Sequence, residues 1–406
     1  MTNVGPPTQA PVTARIATLR HSMAVGGPRP GNDQGGIVLR RKRLTTLSVG
    51  LVAVFLLAAC SSNSSTTNTG GSSGGGGSSF AGVPLTGAGA TFPDPIYEQW
   101  FKDFHSVESG AQINYQAIGS GGGVEQLTKQ TVDFGASDAP LQKDQIAALP
   151  GDVVEVPTVL GGVVFGYNVP GLATGLKLDG TTAADIFLGN ITNWNDPAIA
   201  KLNPDTTLPN MPIQVVHRSD ESGTTFVFTS WLAAESKDWE KQVGADTAVQ
   251  WPTGSGADGN DGVAAAISQT KGAIGYVSYD FAVASHLGIA QVKSDSGAYV
   301  TPSVQSITAA GDILKFPISP DTNILNSSAP GAYPISTTTY LLIYDDQSDK
   351  DKGQTIVDFV QWALTTGQPT ATKLNYAPLP PQIAQQALQE LSNVKFQGQT
   401  ITPSSM

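Results

Sequence analysis

Tyr97, Trp100, Phe101 and Phe104 fall at i, i+3, i+4 and i+7, the spacing of one helix face, and predict a helix anchored in a core. Pro93 and Pro95 stand at its start, where first-turn N–H groups have no intrahelical partner to lose. Ile113, Tyr115 and Ala117 then alternate with Asn114 and Gln116, which predicts a strand, and Val124 to Gln130 reads as the next helix. Further on, Val153 to Tyr167 reads as a strand, Thr181 to Phe187 as a helix, Ile213 to His217 as a strand, and the aromatic-rich Phe226 to Leu232 as a helix. Gly272 to Tyr279 reads as a core strand. Strands alternating with helices predict an α/β protein. No period of about 20 to 50 residues recurs, which excludes a solenoid. Beyond the first eighty residues about 325 remain, too many for one modest core and suited to two domains.

Three of the predicted helices begin in the same way, with hydroxyl side chains and glycine. Thr86-Gly87-Ala88-Gly89-Ala90-Thr91-Phe92-Pro93 opens the first, Gly119-Ser120-Gly121-Gly122-Gly123 the second, and Arg218-Ser219-Asp220-Glu221-Ser222-Gly223-Thr224 a later one. A helix start offers orphan N–H donors and the positive end of the helix dipole, so each is a candidate anion seat. One of them carries an arginine. Whether they share one ligand depends on the fold, which composition does not reveal.

These segments resemble the phosphate-binding proteins of bacterial ABC phosphate-uptake transporters, the Pst system. The resemblance is carried by TGAGATFP at 86 to 93, NYQAIGSGGGV at 114 to 124, TVDFGASDAPL at 131 to 141 and VPTVLGGVVFGYNVPGL at 156 to 172. It continues through HRSDESGTTFVFTSWL at 217 to 232, GNDGVAAAI at 259 to 267, GAIGYVSY at 272 to 279 and YPISTTTYLLIY at 333 to 344. The motifs occur in the family's order from residue 84 to about 390. The resemblance implies an α/β, two-lobed periplasmic binding protein (type II) fold with the ligand cleft between two α/β domains. Segments around Val159 to Tyr167 and Tyr333 to Tyr344 would cross between the lobes. Residues 80–160 plus 335–406 would then form a discontinuous first lobe and 161–334 the second.

Carried over residue by residue, the resemblance implies phosphate contacts from Thr91, the Phe92 N–H, Ser120, Asp138, Arg218, Ser222, the Gly223 N–H and Thr224, with Asp220 holding Arg218 in place. Gly121 stands where relatives often have a second serine. Taken alone, Asp220 also suits a helix cap or a solvated loop acid, and Asp138, in Ser137-Asp138-Ala139-Pro140, suits an ordinary turn. The resemblance gives Asp138 a different role. Phosphate keeps at least one proton near neutral pH and can donate it to a carboxylate, whereas sulfate is fully ionised and would leave the buried acid uncompensated.

The N-terminal segment places the chain. Arg40, Arg41, Lys42 and Arg43 precede an apolar run from Leu44 to Ala59, which ends in Leu57-Ala58-Ala59-Cys60. This resembles a lipoprotein signal, with an apolar stretch too short for a transmembrane helix and the chain's single cysteine where acylation takes place. The alternative is a buried or free thiol. Residues 1–59 thus read as the leader, with 1–38 polar enough to suggest a mis-assigned start. Residues 60–79 read as the lipidated Cys60 and a Ser/Gly tether of roughly 25 Å. The expected location is the extracytoplasmic face of the cell membrane, held by two acyl chains.

Of 22 basic and 33 acidic residues, the leader holds seven (Arg15, Arg20, Arg29, Arg40, Arg41, Lys42, Arg43) and one (Asp33), so the mature chain keeps 15 and 32, a net charge of −17. That excludes non-specific nucleic-acid binding and any long-range steering of an anion. Binding has to be local, through hydroxyls, amides and one guanidinium. His21, His105, His217 and His286 are far apart with no metal-ligand spacing, and no GxxxxGK[ST] or GxSxG motif occurs. His217 reads as a strand-end residue and Asn260-Asp261-Gly262 as a turn or helix cap. No cofactor and no metal are expected. The resemblance implies a monomeric, non-catalytic receptor that works with the permease and ATPase subunits of the transporter. A receptor for another tetrahedral oxyanion is the nearest alternative. A surface-anchored phosphatase using Ser222 or Thr224 is the more distant one, since the loops offer no metal cluster and no evident base.

Overall fold

The computed structural model describes residues 81–316 and 324–404, all within the unit Gly75–Met406. The leader, Cys60 and the tether lie outside the described residues. Nine strands build the central architecture: β1 (Leu85–Gly89), β2 (Ile113–Ala117), β3 (Phe134–Ser137), β4 (Val153–Asn168), β5 (Gln214–Arg218), β6 (Ser255–Ala257), β7 (Ala273–Ser278), β8 (Gly288–Ile289) and β9 (Ser336–Tyr344). Their order is β2-β1-β3-β9-β4-β7-β5-β6, with β8 also pairing β4.

β4 belongs to both halves. Its residues Val153 to Gly162 pair antiparallel with β9, and from Val163 to Asn168 it pairs antiparallel with β7. The chain recrosses beside it, where Val163 N–H donates to Ile335 O at 2.8 Å and the Tyr333 hydroxyl donates to Val163 O at 3.0 Å. Strands β1, β2 and β3 run parallel on one side, and β5, β6 and β7 run parallel on the other. A central strand covered on both faces reads as a continuous apolar run, and thirteen of the sixteen β4 residues are buried.

Helices cover the sheets: α1 (Asp94–His105), α2 (Ser120–Thr128), α3 (Gly223–Glu235), α4 (Gly259–Gln269), α5 (Tyr279–Ala284) and α6 (Lys350–Thr365). The predicted stripe of α1 is buried as Tyr97, Trp100, Phe101 and Phe104, and the Trp100 indole N–H donates to Gly367 O at 2.9 Å. α2 starts four residues before the Val124 expected from the apolar pattern. Gly119 turns the chain into it at φ 85°, a left-handed conformation that glycine adopts without a Cβ penalty, so Ser120 becomes the first helical residue. α3 likewise begins at Gly223, before the expected Phe226, because the Ser222 hydroxyl caps it by accepting from Thr225 N–H at 3.1 Å.

Candidate functional site

The C-terminal ends of β1, β3 and β5 point toward the gap where the two halves meet, and the candidate residues follow from that placement. Thr91 and Phe92 leave β1 and lead into α1, whose N-cap is Pro93. Ser120 stands at the first position of α2, and Asp138 follows the last residue of β3. Arg218 ends β5, while Ser222, Gly223 and Thr224 form the start of α3. All eight are buried.

Direct bonds join the two groups. Ser120 Oγ accepts from Asp138 N–H at 3.2 Å and, across the gap, from Gly223 N–H at 3.0 Å. Thr224 Oγ1 donates to Asp138 Oδ2 at 3.3 Å, and Thr339 Oγ1, from β9, donates to Asp138 Oδ1 at 2.9 Å. Gly121 N–H donates to Glu221 O at 3.1 Å, which brings the starts of α2 and α3 together. Gly223 has no room for a side chain, since a Cβ there would lie 2.5 Å from Ser120 Oγ and 2.8 Å from Asp138 Cβ.

Arg218 is gripped from one side only. Its Nε donates to Asp220 Oδ1 at 2.6 Å and its Nη2 pairs with Asp220 Oδ2, a two-pronged bond that fixes the guanidinium plane. Its backbone N–H donates to the Tyr276 hydroxyl, which also meets Thr225 Oγ1. Nη1 is buried without a hydrogen-bond partner among the described residues. A buried cationic donor left unpaired is costly and suits an anionic ligand.

The two acids sit in opposite electrostatic settings. Burial pushes Asp138 up to about 7; the Thr339 bond, the Arg218 charge and the Thr224 bond oppose the shift, and Asp220 adds to it. Burial also acts against a charged Asp220, but the bond and charge of Arg218 outweigh it and hold the carboxyl below its usual range. Asp220 therefore stays ionised for Arg218, whereas Asp138 titrates near neutrality.

Three residues the sequence reading did not assign complete the cluster. Asn260, fully buried, donates through Nδ2 to Thr91 Oγ1 at 2.9 Å and to Thr224 Oγ1 at 3.2 Å, while its Oδ1 accepts from Ser278 N–H. It lies inside α4 instead of in a separate turn. The signal was available: Asn260 stands three, four and seven residues before the buried Val263, Ala264 and Ile267, so its amide shares the core-facing stripe. Thr339 and Tyr276 are polar residues within apolar strand segments, and pattern alone does not distinguish them from core. His217 lies in β5 as a strand residue, its ring stacked on Trp251 at 4.7 Å. A cleft of about 630 Å³ adjoins the cluster, lined by Ser120, Gly121, Pro140, Gln142, Glu221 and Phe226 among others.

The chain matches the PBP superfamily domain over residues 61–366. It is 41% identical over 304 residues to a phosphate-binding protein PstS of Pasteurella multocida, covering 74% of this chain and 88% of that one. Its identity to the PstS of Haemophilus influenzae is 40% over 319 residues, 78% of this chain and 92% of that one. A homologue of the same name from Methanocaldococcus jannaschii is 34% identical over 331 residues, with 76% and 85% covered. Among solved structures, a phosphate-binding protein from Stenotrophomonas maltophilia superposes with a TM-score of 0.58 at 20% identity, covering 76% of this chain and 93% of that one. A periplasmic phosphate-binding protein solved with phosphate bound gives a TM-score of 0.59 at 21% identity, with 75% and 92% covered. At such identities the superpositions speak to the fold, a two-lobed periplasmic binding architecture, and the sequence identities speak to descent. The chain belongs to the PstS family of phosphate-binding proteins.

Proposed function

We propose that this protein binds inorganic phosphate between its lobes outside the cytoplasm and delivers it to an ABC transporter for import. The observation that carries the reading is the meeting of the Ser120 hydroxyl, the α3 start and the unpaired Arg218 Nη1 around one buried acid, Asp138. Donors alone would suit any oxyanion. The acid suits one that still holds a proton, because that proton gives the carboxylate a bond in place of an uncompensated charge. The proposed ligands are Thr91, the Phe92 N–H, Ser120, Asp138, Arg218, Ser222, the Gly223 N–H and Thr224, with Asp220 supporting. Calorimetric titration of the mature protein tests this. Phosphate and arsenate should bind tightly and sulfate weakly, and equal binding of sulfate would return the protein to the general oxyanion class.

The protein acts as a receptor and not as an enzyme. The Ser222 hydroxyl is committed to capping α3, which argues against its use as a nucleophile. Turnover of a phosphomonoester by purified protein would overturn that. Closure follows from ligands on two lobes, because a molecule contacting both has a higher affinity for the closed state. We place the first lobe at 80–160 plus 335–406 and the second at 161–334, a division supported by the change of β4 partners after Gly162. Small-angle scattering should report a smaller radius of gyration with phosphate than without it. An identical profile at saturation would mean a preformed site.

Among the described residues, no helix is long and apolar enough to cross a membrane. We assign membrane attachment to lipid on Cys60, with the 61–79 tether between anchor and lobes, and transfer of phosphate to the permease and ATPase subunits by a monomer. The Cys60→Ala protein should partition into the aqueous phase of a detergent extraction and still bind phosphate. Its persistence in salt-washed membranes would refute the anchor.

A further inference from the structure

Tyr376 is fully buried, and its hydroxyl oxygen lies 2.7 Å from Phe92 O and 2.8 Å from Asp280 Oδ2. A phenol carries one proton. The Phe92 carbonyl only accepts, so a phenol that donates to it has no proton left for the carboxyl. The second short contact is then a hydrogen bond only if the carboxyl itself donates. Asp280 sits in the first turn of α5, on the second lobe, whereas Phe92 and Tyr376 belong to the first.

The surroundings favour the neutral acid. Burial pushes Asp280 up to about 7, opposed by Ser278, Tyr376 and the N–H groups of Asp280 and Phe281. Ser278 Oγ faces this carboxyl without reaching sound hydrogen-bond geometry. The further charges that bear on Tyr376 are Asp138 and Asp94, both acids. Asp94 is itself raised to about 6 by burial, Glu98 and Asp261.

We propose that Asp280 is a positioning residue for the anion site: as a neutral acid it donates to Tyr376, which releases the phenolic proton to Phe92 O and fixes, from the opposite lobe, the turn that presents the Phe92 N–H. This deepens the phosphate reading and rests on it. Ionised, Asp280 can only accept, so the Tyr376 proton turns toward it and the buried Phe92 carbonyl loses its partner. An anion bound beside Phe92 disfavours that carboxylate further, so binding takes up a proton while Asp280 titrates. The contribution of the neutral acid is complete below the ordinary carboxylate range and is lost as pH rises through the raised value.

Phosphate titrations of the parent, Asp280→Asn and Tyr376→Phe proteins at roughly pH 5.5 and 8.5 test this. Asparagine can donate to Tyr376 at any pH, so the variant-to-parent affinity ratio should be near one at the acid end and rise to roughly tenfold at the alkaline end. Titration of phosphate and of Asp138 affects both proteins alike and cancels in the ratio. Tyr376→Phe should bind more weakly and lose the same part of the pH slope, a readout that remains if Asp280→Asn folds poorly. An Asp280→Asn ratio that does not change with pH, or a Tyr376→Phe slope equal to the parent's, would overturn the proposal. A parent that binds no phosphate at either pH would instead refute the phosphate reading, and this inference with it.

Discussion

Arg218→Ala lowers phosphate affinity by about 2 to 4 kcal/mol, the largest single-residue effect expected in this site. Two contributions add. The ligand loses charge-assisted bonds from Nη1, the donor left open in the cluster. Asp220, held ionised by the guanidinium, also becomes an uncompensated, partly buried charge against the same anion. Arg218→Lys should recover only part of the loss, since a point charge cannot fill both Asp220 oxygens and still reach the ligand. The Tyr276 contact to the Arg218 backbone survives either change, so the fold should hold. Competitive calorimetry measures the effect, and parent-like affinity in Arg218→Ala would move the binding site elsewhere.

Asp138→Asn shifts selectivity more than affinity. The carboxyl is gripped at both oxygens by Thr339 and Thr224; the isosteric amide keeps one of these bonds at its oxygen, while its NH₂ obliges the other hydroxyl to turn and accept, and offers a donor that any oxyanion can use. Phosphate should weaken modestly, while sulfate gains at least the ~1 to 3 kcal/mol of an unsatisfied buried group, and more because the group removed is charged. The pH dependence has a definite sign. Burial raises Asp138 to about 7, so above that value the ionised acid excludes sulfate, and below it the neutral acid can donate to sulfate. The phosphate-to-sulfate selectivity of the parent should therefore fall as the solution is acidified, and that of Asp138→Asn should stay nearly level. Sulfate competition titrations across the neutral range decide it; equal exclusion by the two proteins would leave Asp138 as a turn residue.

How much of this was legible in the sequence depends on how local each feature is. The α1 stripe and the β2 alternation are set by neighbours a few residues away, and they appear where the pattern places them. The two early helix starts, Ser120 and Gly223, escaped an apolar-periodicity reading because their first turns are glycine and hydroxyl residues that bury backbone instead of side chains. That Ser120 would touch Gly223, 103 residues on, is a tertiary fact no local pattern contains, and only the family resemblance anticipated such convergence. Asn260 was misread as a cap for the opposite reason. A polar residue near a helix start suits capping so well that its position on the apolar stripe is easily passed over.

The placement of β9 has a consequence for how the polypeptide becomes functional during export. β9 lies between β3 and β4, and its Thr339 donates to Asp138, 201 residues earlier, so the middle of the first sheet is supplied by a strand made long after its neighbours. Sheet contacts of such sequence separation pay their loop-closure entropy before any pairing rewards it, and form slowly. The second lobe's sheet closes through strands that are nearer to one another in the chain. It can mature first, while β1 to β3 wait with unpaired edges. Thr339, the donor to Asp138 Oδ1, thus arrives last, and a chain interrupted before Ser336 would carry Arg218, the α3 start and Asp138 itself, but only the Thr224 half of the grip on that carboxyl.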